Sequence, residues 1–347
     1  MKNKKNKKDR ENMRVLHAPT EISGQVITIA RAQRELGIRS DVLVFDRDPR
    51  GYECDINLSL HGKPKVIIRL LQLINFIRCL FKYDVFHFHF GWSLLPRNLD
   101  LPILKLFRKR IIMQYWGSDV RQLDIARKYK YYYARETKIN PREEEHKRNK
   151  IKWINKFADA TITGYELLEY VPNSFITELA IDLSKIRFVG VKSEKNKKLK
   201  IVHAPTNRLK KGTKYILEAV ERLKSEGYDF EFVLVENRSH EEALRIYENA
   251  DIIVDQIAYG QHALVAVEGM AMGKPVLSYI REDIEKYYPT LPILNTNPDT
   301  IYDNLKLLIE NPELRRELGE KGRKYVEEMH DSKKIAKQMI ELYKRVF

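Results

Sequence analysis

Cysteine is almost absent from this 347-residue sequence, which contains only Cys54 and Cys79. Two cysteines this far apart give neither the spacing of a metal site nor a disulfide framework. No run of about 18 apolar residues free of charge occurs, so we expect no transmembrane helix. The basic residues 1–12 have no apolar segment behind them, so we expect no secretory signal. These absences favour a cytoplasmic protein.

The glycine motif of dinucleotide-binding proteins is also missing, because neither half of the chain contains Gly-x-Gly-x-x-Gly. We therefore expect no dinucleotide cofactor. The signatures of RNA-binding modules and of helix-turn-helix proteins are missing as well, so no specific nucleic acid is expected.

Acidic residues are too few to balance 63 lysine and arginine residues, and the formal net charge is +15. We expect residues 1–12 to form a basic disordered tail. The remaining positive charge attracts phosphates, anionic lipid headgroups or nucleic acid. An anionic membrane at the inner face of the plasma membrane is thus a candidate partner, and a polyanion- or nucleic-acid-binding protein stays open as an alternative.

The four residues His-Ala-Pro-Thr occur twice, at 17–20 and 203–206, and each copy follows a short apolar run. Short apolar runs alternate with segments of helical periodicity in both halves of the chain. This alternation predicts parallel sheets and an α/β fold with two Rossmann-like domains. Each copy then ends the first strand of a domain, where open parallel sheets bind ligands.

Residues 249–279, NADIIVDQIAYGQHALVAVEGMAMGKPVLSY, resemble the signature of GT-B glycosyltransferases, most closely the retaining family-four enzymes. The matching positions are Asp251, Glu268, Met270, Ala271, Gly273, Lys274, Pro275 and Val276. The stretches ISGQ (22–25), DVFHFHF (84–90), YWGSD (115–119), NRLKKG (207–212) and 311–330 extend the resemblance over nearly the whole chain.

The resemblance implies two Rossmann-like domains whose parallel sheets face each other across a cleft. The implied segments are a tail at 1–12, an N-terminal acceptor domain at 13–183, a linker at 184–198, a C-terminal nucleotide-sugar domain at 199–330 and a helix at 331–347 that returns toward the N-terminal domain. It also implies a sugar nucleotide donor, for which UDP is favoured over GDP or ADP, and retention of anomeric configuration. The acceptor is left open between a cell-envelope glycan of polysaccharide biosynthesis, a lipid-linked saccharide and a small molecule.

Arg208 and Lys211 are the predicted catalytic cations. Negative charge grows on a leaving diphosphate, so fixed cations stabilise the transition state more than the ground state and replace a metal ion. Both residues precede a helix N-terminus, which also favours anions. We therefore expect no metal at the site; the alternative is a solvated lysine-rich loop.

Glu268 lies in an otherwise apolar helix and should face a polar group, because burial of a lone carboxylate is costly. The resemblance identifies that group as the nucleotide ribose, and the alternative is a carboxylate that caps a neighbouring loop. The other expected donor-binding positions are Gly24, Thr206, Asn207, Gln261, His262, Ala263 and Leu264.

His87 and His89 share one face of a strand. His89, near the carboxyl end of this strand, is predicted to be catalytic, and a core histidine is the alternative. Their spacing is compatible with a metal site, but no third ligand is evident. Asp119 either binds an acceptor hydroxyl or caps the next helix.

Two positions depart from the family pattern. Gly260 stands where the family has a glutamate that contacts the donor sugar, and Tyr259, Gln261 or His262 are candidates to replace it. Trp116 stands where the family has a histidine; it cannot act as a base but can stack on a sugar. A GT-B-fold sugar-nucleotide epimerase or a catalytically silent relative is therefore an alternative.

Two amphipathic segments are candidates for contacts outside the catalytic site. In 66–82 the polar residues recur every three or four positions, so we expect their stripe in water and the apolar face on the sheet. The alternative is a helix that also meets a membrane or a partner. Residues 147–158 are basic, contain Trp153 and are the stronger membrane candidate.

Overall fold

The computed structural model describes residues 13–191 and 198–347, which form two compact units. The first unit contains the described residues up to Gln122, Ile139–Ala180 and Ser332–Phe347. The second unit contains Leu123–Lys138 and Ile181–Asp331. The predicted tail at 1–12 and residues 192–197 of the predicted linker lie outside the described residues.

Within the described residues, the strands form one sheet in each unit. Those of the first unit are β1 (Arg14–Ala18), β2 (Arg39–Val44), β3 (Ile56–Asn57), β4 (Val85–His89), β5 (Arg110–Gln114), β6 (Ala160–Thr163) and β7 (Phe175–Ile176). Those of the second unit are β8 (Leu199–His203), β9 (Phe230–Leu234), β10 (Ile252–Val254), β11 (Val276–Ser278) and β12 (Leu294–Asn295).

The α-helices of the described residues are, in chain order, α1 (Gln25–Glu35), α2 (Lys65–Lys82), α3 (Asp100–Leu106), α4 (Leu123–Ala126), α5 (Pro141–Phe157), α6 (Arg208–Lys211), α7 (Thr213–Ser225), α8 (His240–Glu248), α9 (Leu264–Ala271), α10 (Glu282–Glu285), α11 (Ile301–Glu310), α12 (Pro312–Met329) and α13 (Ser332–Val346).

Both sheets are parallel throughout, and both change direction at their first strand. The order of the first is β3-β2-β1-β4-β5-β6-β7, and that of the second is β12-β11-β10-β8-β9. All paired strands run parallel. Because the chain builds outward from β1 and β8 on one side and then crosses to the other, each sheet has a topological switch point there, where such sheets bind ligands.

Helix α13 completes the core of the first unit, although it lies far along the chain. Its Met339 and Tyr343 are buried in one cluster with Val15 of β1, Ile29 of α1 and Val85 of β4. Burial of a large apolar side chain contributes roughly 1.5–3 kcal/mol. Packing of α13 against this core therefore contributes to the stability of the first unit.

Helix α2 buries a different face from the one that the sequence predicts. Its buried residues are Gln72, Phe76, Cys79 and Leu80, whereas most of its large aliphatic side chains are exposed. The expectation that the apolar face packs on the sheet is therefore wrong. The polar stripe faces water only in part, because Arg69, Arg78 and Lys82 are exposed and Gln72 is buried. The helix is apolar over most of its circumference. When Phe76, Cys79 and Leu80 pack inward, most of its other apolar side chains are therefore left exposed.

Helices α7 and α11 of the second unit pack in one core against its sheet. Ile216 and Val220 of α7 share a core with Leu305 of α11 and with strand residues such as Ile252. A side chain at Gly319 of α12 would overlap the backbone carbonyl of Gly273, which explains the glycine there. Among the described residues, no helix has the length and apolar content needed to cross a membrane.

Candidate functional site

Polar side chains of the second unit gather where β8 and β10 end. These strands pair in parallel with His203 opposite Val254, so the residues that follow each strand meet at one edge. The second His-Ala-Pro-Thr turn follows β8, and Asp255 follows β10. The ring of His203 is buried and bonded to the carbonyl of Val254 and the hydroxyl of Thr213, at 2.9 and 2.8 Å. This histidine therefore fixes the turn.

Lys211 is buried and forms an ion pair with Asp255. Its Nζ lies 2.9 Å from Asp255 Oδ1, and the other carboxylate oxygen accepts a hydrogen bond of 2.6 Å from the backbone N–H of Ala263. Ala263 is the residue before α9, whose start has no side-chain cap. The first N–H groups of a helix have no partner within it. Asp255 thus holds a cation beside an anion-attracting helix N-terminus.

Arg208 is exposed at the start of α6 and forms a bidentate pair with Glu236, which follows β9. The two contacts are Nε–Oε1 at 2.8 Å and Nη2–Oε2 at 2.5 Å. Asn207 caps α6, since its side chain accepts a hydrogen bond of 3.0 Å from the N–H of Lys210. Thr206 is exposed in the turn before it. Arg208 and Lys211 therefore lie at the two ends of the short helix α6 and not in a loop, and their catalytic role stays a prediction.

Glu268 is buried in α9 and meets His240 at the first position of α8. The Nε2 of His240 lies 2.5 Å from Glu268 Oε1. Burial raises the pKa of the Glu268 carboxyl, while the contact with His240 opposes this rise. The carboxylate therefore faces a polar group, as expected, but here that group is a histidine of the protein. Binding of a nucleotide ribose by Glu268 stays a prediction.

The loop before α9 contains a histidine that is buried without hydrogen bonds. His262 is 2% exposed, and neither ring nitrogen has a partner in the described part of the chain. Burial lowers its pKa to about 4, so the ring is neutral near pH 7. Gln261 donates to the hydroxyl of Tyr288 at 2.7 Å, and no described group donates to its Oε1. Gln261 and His262 therefore each have buried side-chain atoms without a hydrogen-bond partner among the described residues.

Arg281 occupies the space that a side chain at position 260 would need. Gly260 has a φ of 101°, and a Cβ there would overlap Cγ of Arg281 and lie 2.7 Å from its Cδ. The guanidinium is bonded to both carboxylate oxygens of Asp283, at 2.9 and 3.0 Å, and lies over the ring of Tyr129. The aliphatic carbons of Arg281 therefore occupy the space where the resemblance implies a glutamate side chain.

The first unit holds a directed chain of hydrogen bonds in its core. Trp116 Nε1 donates to His89 Nδ1 at 3.3 Å, so neutral His89 carries its proton on Nε2 and donates to His17 Nδ1 at 3.1 Å. His17 then donates to Gln33 Oε1 at 3.0 Å. Gln33 donates to the Tyr343 hydroxyl at 3.1 Å, which lies 2.6 Å from His87 Nδ1. Burial lowers the pKa values of His17 and His89, which keeps both rings neutral.

This network bears on two sequence-based interpretations. His17, His87 and His89 each place a ligand atom within 4.8 Å of the others, so the third histidine that the sequence did not reveal is His17. Both nitrogens of His17 and of His89 already have protein partners, whereas Nε2 of His87 has none among the described residues. His89 is fully buried. This geometry gives it a structural role, and its catalytic role stays a prediction.

Asp119 holds the turn that follows β5. It accepts hydrogen bonds from the backbone N–H groups of Gly117 at 2.7 Å and Trp116 at 3.1 Å. Burial raises its pKa to about 6, against the effect of these bonds and of the nearby Lys150. Its contacts lie within the preceding turn and not at the start of a following helix. Contact with an acceptor hydroxyl stays a prediction.

Gly24 begins α1, and the amide groups around it already have an acceptor. Its φ is 79°, and a Cβ there would lie 2.8 Å from the ring of Tyr52. The buried carboxylate of Glu21 accepts hydrogen bonds from the N–H groups of Ile22, Val26 and Ile27, at 2.8, 3.0 and 3.0 Å. The glycine thus serves the turn and the close approach of Tyr52. A role of Gly24 toward the donor stays a prediction.

A cavity of about 460 Å³ lies in the first unit between α2, the loop after β4 and α5. Its lining includes the indoles of Trp92 and Trp153 and the basic side chains of Arg97, His146 and Lys150, and no carboxylate. Trp153 donates from Nε1 to the carbonyl of Asn98 at 3.3 Å. The cavity thus suits an anionic ligand with a ring that can stack. Trp153 of segment 147–158 contributes to its wall.

One Asp-x-Asp triplet, a pattern that holds divalent metals in many enzymes, occurs at 46–48 in the first unit. Asp48 accepts hydrogen bonds from Arg50, with Oδ2–Nη2 at 2.6 Å. Asp46 accepts from the backbone N–H of His61 at 2.7 Å. Both carboxylates therefore already have protein partners.

Comparison with known proteins identifies the fold. Residues 208–341 match the family described as "Glycosyl transferase-like". The chain is 16% identical to sucrose-phosphate synthase from Thermosynechococcus elongatus, with a TM-score of 0.67 over 97% of this chain and 99% of that one. An alpha-glucosyltransferase in complex with UDP and DNA gives 12% identity and a TM-score of 0.59 over 95% and 99%.

A third solved structure, a UDP-N-acetylglucosamine 2-epimerase, gives 15% identity and a TM-score of 0.54 over 95% of both chains. No curated protein matches the sequence. The findings confirm the two-unit α/β fold and the resemblance to GT-B glycosyltransferases, and the family match confirms the prediction of a glycosyltransferase.

Proposed function

We propose that the chain transfers a sugar from a nucleotide-sugar donor, bound by the second unit, to an acceptor bound by the first. The observation that carries this proposal is the Lys211–Asp255–Ala263 chain of contacts. It sets a buried cation beside the start of α9, within the segment that matches the glycosyl transferase-like family. A leaving diphosphate is the anion that such a site would stabilise.

The charged and polar groups around Lys211 and Asp255 support the roles proposed for the site residues. Lys211 is held in place and supplies a fixed positive charge, which needs no reorganisation when the sugar–phosphate bond breaks. Arg208 is exposed, and its pair with Glu236 keeps it close to the same strand ends. Gln261 and His262 have unused polar atoms in the loop before α9. They are the candidates for contacts with the sugar in place of a carboxylate at 260.

The cavity of the first unit is the proposed acceptor site. Its two indoles suit the apolar face of a sugar ring. Its basic lining, without a carboxylate, favours an acceptor with a phosphate or carboxylate group. A lipid-linked saccharide phosphate or an anionic cell-envelope glycan of polysaccharide biosynthesis meets this requirement better than a neutral small molecule.

Four finer predictions belong to this proposal. The donor nucleotide is UDP, the anomeric configuration is retained, no metal ion takes part in the transfer, and the protein works in the cytoplasm at the inner face of the plasma membrane. UDP and retention rest on the resemblance, the absence of a metal rests on Arg208 and Lys211, and the location rests on charge.

A sugar-nucleotide epimerase or a silent relative is the second candidate. It is favoured by Gly260, where Arg281 fills the space of the family carboxylate. An epimerase would convert a sugar nucleotide in the absence of any acceptor. A transferase would consume it only slowly by hydrolysis until the acceptor is added.

The test is a thermal-shift series on the full chain with UDP, GDP and ADP and with their sugars, in buffer with EDTA. A ligand at about 100 times its dissociation constant adds roughly 2.7 kcal/mol to the free energy of unfolding. We expect a shift with UDP compounds that EDTA does not remove. Binding that appears only with Mg²⁺ would contradict the metal-free site, and no shift with any nucleotide would contradict the proposed function.

A further inference from the structure

We propose that α2 and α3 form a docking face that rests on an anionic bilayer. The face, called here the α2–α3 face, comprises the exposed apolar side chains of these two helices together with Leu99 and Phe107, which flank α3. It goes beyond the proposed transfer reaction and does not depend on it.

The exposed side chains of α2 form one continuous apolar strip. With about 100° between successive residues, Leu70, Leu73 and Ile77 point in nearly the same direction, and the exposed aliphatic residues around them span an arc of about 120°. Val66 is 78% exposed at one end and Phe81 is 67% exposed at the other. The buried residues, such as Phe76, lie on the opposite side of the helix.

Helix α3 extends the strip beyond α2. The rings of Phe81 and Phe107 meet edge to face with 6.1 Å between centroids, so the two helices join at this point. Leu99 and Ile103 are exposed, and Leu106 is 80% exposed. Soluble monomers rarely leave an apolar area of this extent open, and such areas mark contacts with membranes or other proteins.

Basic residues border the strip, and acidic residues are missing from it. No aspartate or glutamate occurs between His61 and Tyr83. Arg69 lies on one border of the arc, and Arg78 and Lys82 lie on the other. Lys82 is paired with Asp41 at 2.8 Å. Long basic side chains beside an apolar strip bury their stems and keep their charge at the lipid headgroups.

The charge distribution favours a bilayer over a second copy of the chain. Two such faces placed against each other would bring Arg69 and Arg78 of both copies together without compensating acids. An anionic lipid surface instead attracts them, by about 1 kcal/mol for each basic residue near it, or about fivefold in affinity.

The cavity of the first unit lies beside this face. Gln72, on the protein side of α2, lines the cavity, and so does Pro96, three residues before exposed Leu99. If the chain is a transferase as proposed, a headgroup-linked acceptor would reach the cavity from the membrane to which the face docks. This step rests on the proposed function, whereas docking itself does not.

The experiment is sedimentation of the full chain with vesicles of equal parts phosphatidylcholine and phosphatidylglycerol, and with vesicles of phosphatidylcholine alone. The test variant is Leu70→Gln/Ile77→Gln, which changes two exposed residues and leaves every basic residue in place. The control is Leu36→Gln/Leu307→Gln, which changes two exposed leucines elsewhere. Thermal unfolding checks that all variants are folded.

We expect wild type and control to sediment with the anionic vesicles, less so at high salt, and the test variant to bind at least about tenfold more weakly. Equal sedimentation of test variant and wild type would overturn the proposal, and so would failure of the wild type to bind anionic vesicles. A wild-type dimer that Leu70→Gln/Ile77→Gln dissociates would show that a second copy covers the face. Activity is not measured, so failure here leaves the proposed sugar transfer untouched.

Discussion

The two His-Ala-Pro-Thr turns end the first strand of each unit, yet their surroundings differ in charge. Both histidines are buried and bonded on both ring nitrogens, His17 to His89 and Gln33, and His203 to Val254 and Thr213. In both turns burial lowers the pKa of the histidine to about 4. The shared residues thus perform the same task of fixing the turn.

The residue that follows each turn makes the difference. In the first unit Glu21 places its carboxylate on the N–H groups at the start of α1. In the second unit the equivalent residue is neutral Asn207, which caps a short helix that ends in Lys211. One helix N-terminus has an anion from its own chain, and the other turn leads to cations. The proposed diphosphate site therefore lies in the unit whose turn is followed by a neutral residue and not by a carboxylate.

The largest expected effect is on turnover in the second unit. Arg208→Ala and Lys211→Ala should each lower kcat about 10²–10³-fold with the sugar nucleotide found by the thermal-shift series, because each removes a charge that opposes the leaving diphosphate. Lys211→Ala should also destabilise the fold by about 3–5 kcal/mol, because it leaves Asp255 buried without its cation. Lys214→Ala, at an exposed lysine of the same region, is the matched control. Turnover of Arg208→Ala equal to that of the control would remove Arg208 from the site.

The next effect is on stability in the first unit and depends on pH. Burial raises the pKa of Glu21 to about 7, so the folded state binds this proton more tightly than the unfolded state does. Its contribution to stability is therefore present at low pH and is lost as pH rises from about 4.5 to about 7, by about 3 kcal/mol at most.

Glu21→Gln should remove this loss, because a glutamine cannot ionise. The measurement is the free energy of unfolding at pH 5 and pH 8, with exposed Glu221→Gln as the control. If the difference between the two pH values is the same in Glu21→Gln and in wild type, Glu21 is not the group that titrates.

The smallest expected effect is on UDP binding, when a negative charge like that of Glu21 is introduced after the second His-Ala-Pro-Thr turn. Asn207→Asp keeps the cap on the N–H of Lys210 and adds a negative charge near the proposed diphosphate. Unit charges about 10 Å apart repel by roughly 1–2 kcal/mol at an effective dielectric constant of about 20, so UDP should bind about tenfold more weakly.

The control for this variant is Asn140→Asp. Asn140 caps α5 in the first unit by accepting from the N–H of Arg142, so the same change is made at the same kind of position. Both variants should unfold at the wild-type temperature without ligand. Titration calorimetry that gives equal UDP affinities for both would contradict a diphosphate near Asn207.

Local sequence patterns predicted the helices and strands. The orientation of α2 and the side-chain contacts of the candidate site depend on residues that are far apart in the sequence. Periodicity placed α2 at the correct residues. The Ser-x-x-Glu spacing at 239–242 predicts a capping box, and the structure has one at the start of α8. Periodicity could not orient α2, because a helix that is apolar on most sides offers no single face to bury. The contact between Glu268 and His240 joins two helices, so no spacing within either one signals it. His17 joins His89 only because β1 and β4 are neighbours in the sheet.

The position of α13 at residues 332–346 determines when the first unit can complete its core during synthesis. The core around Val15 and Val85 contains Met339 and Tyr343, and Tyr343 also links Gln33 to His87. The first unit therefore cannot close its core on the ribosome when its own sheet has emerged. It has to wait until the whole second unit and residues 332–347 have been translated. During that interval the apolar side chains around Val15 and Val85 lack the partners that Met339 and Tyr343 provide.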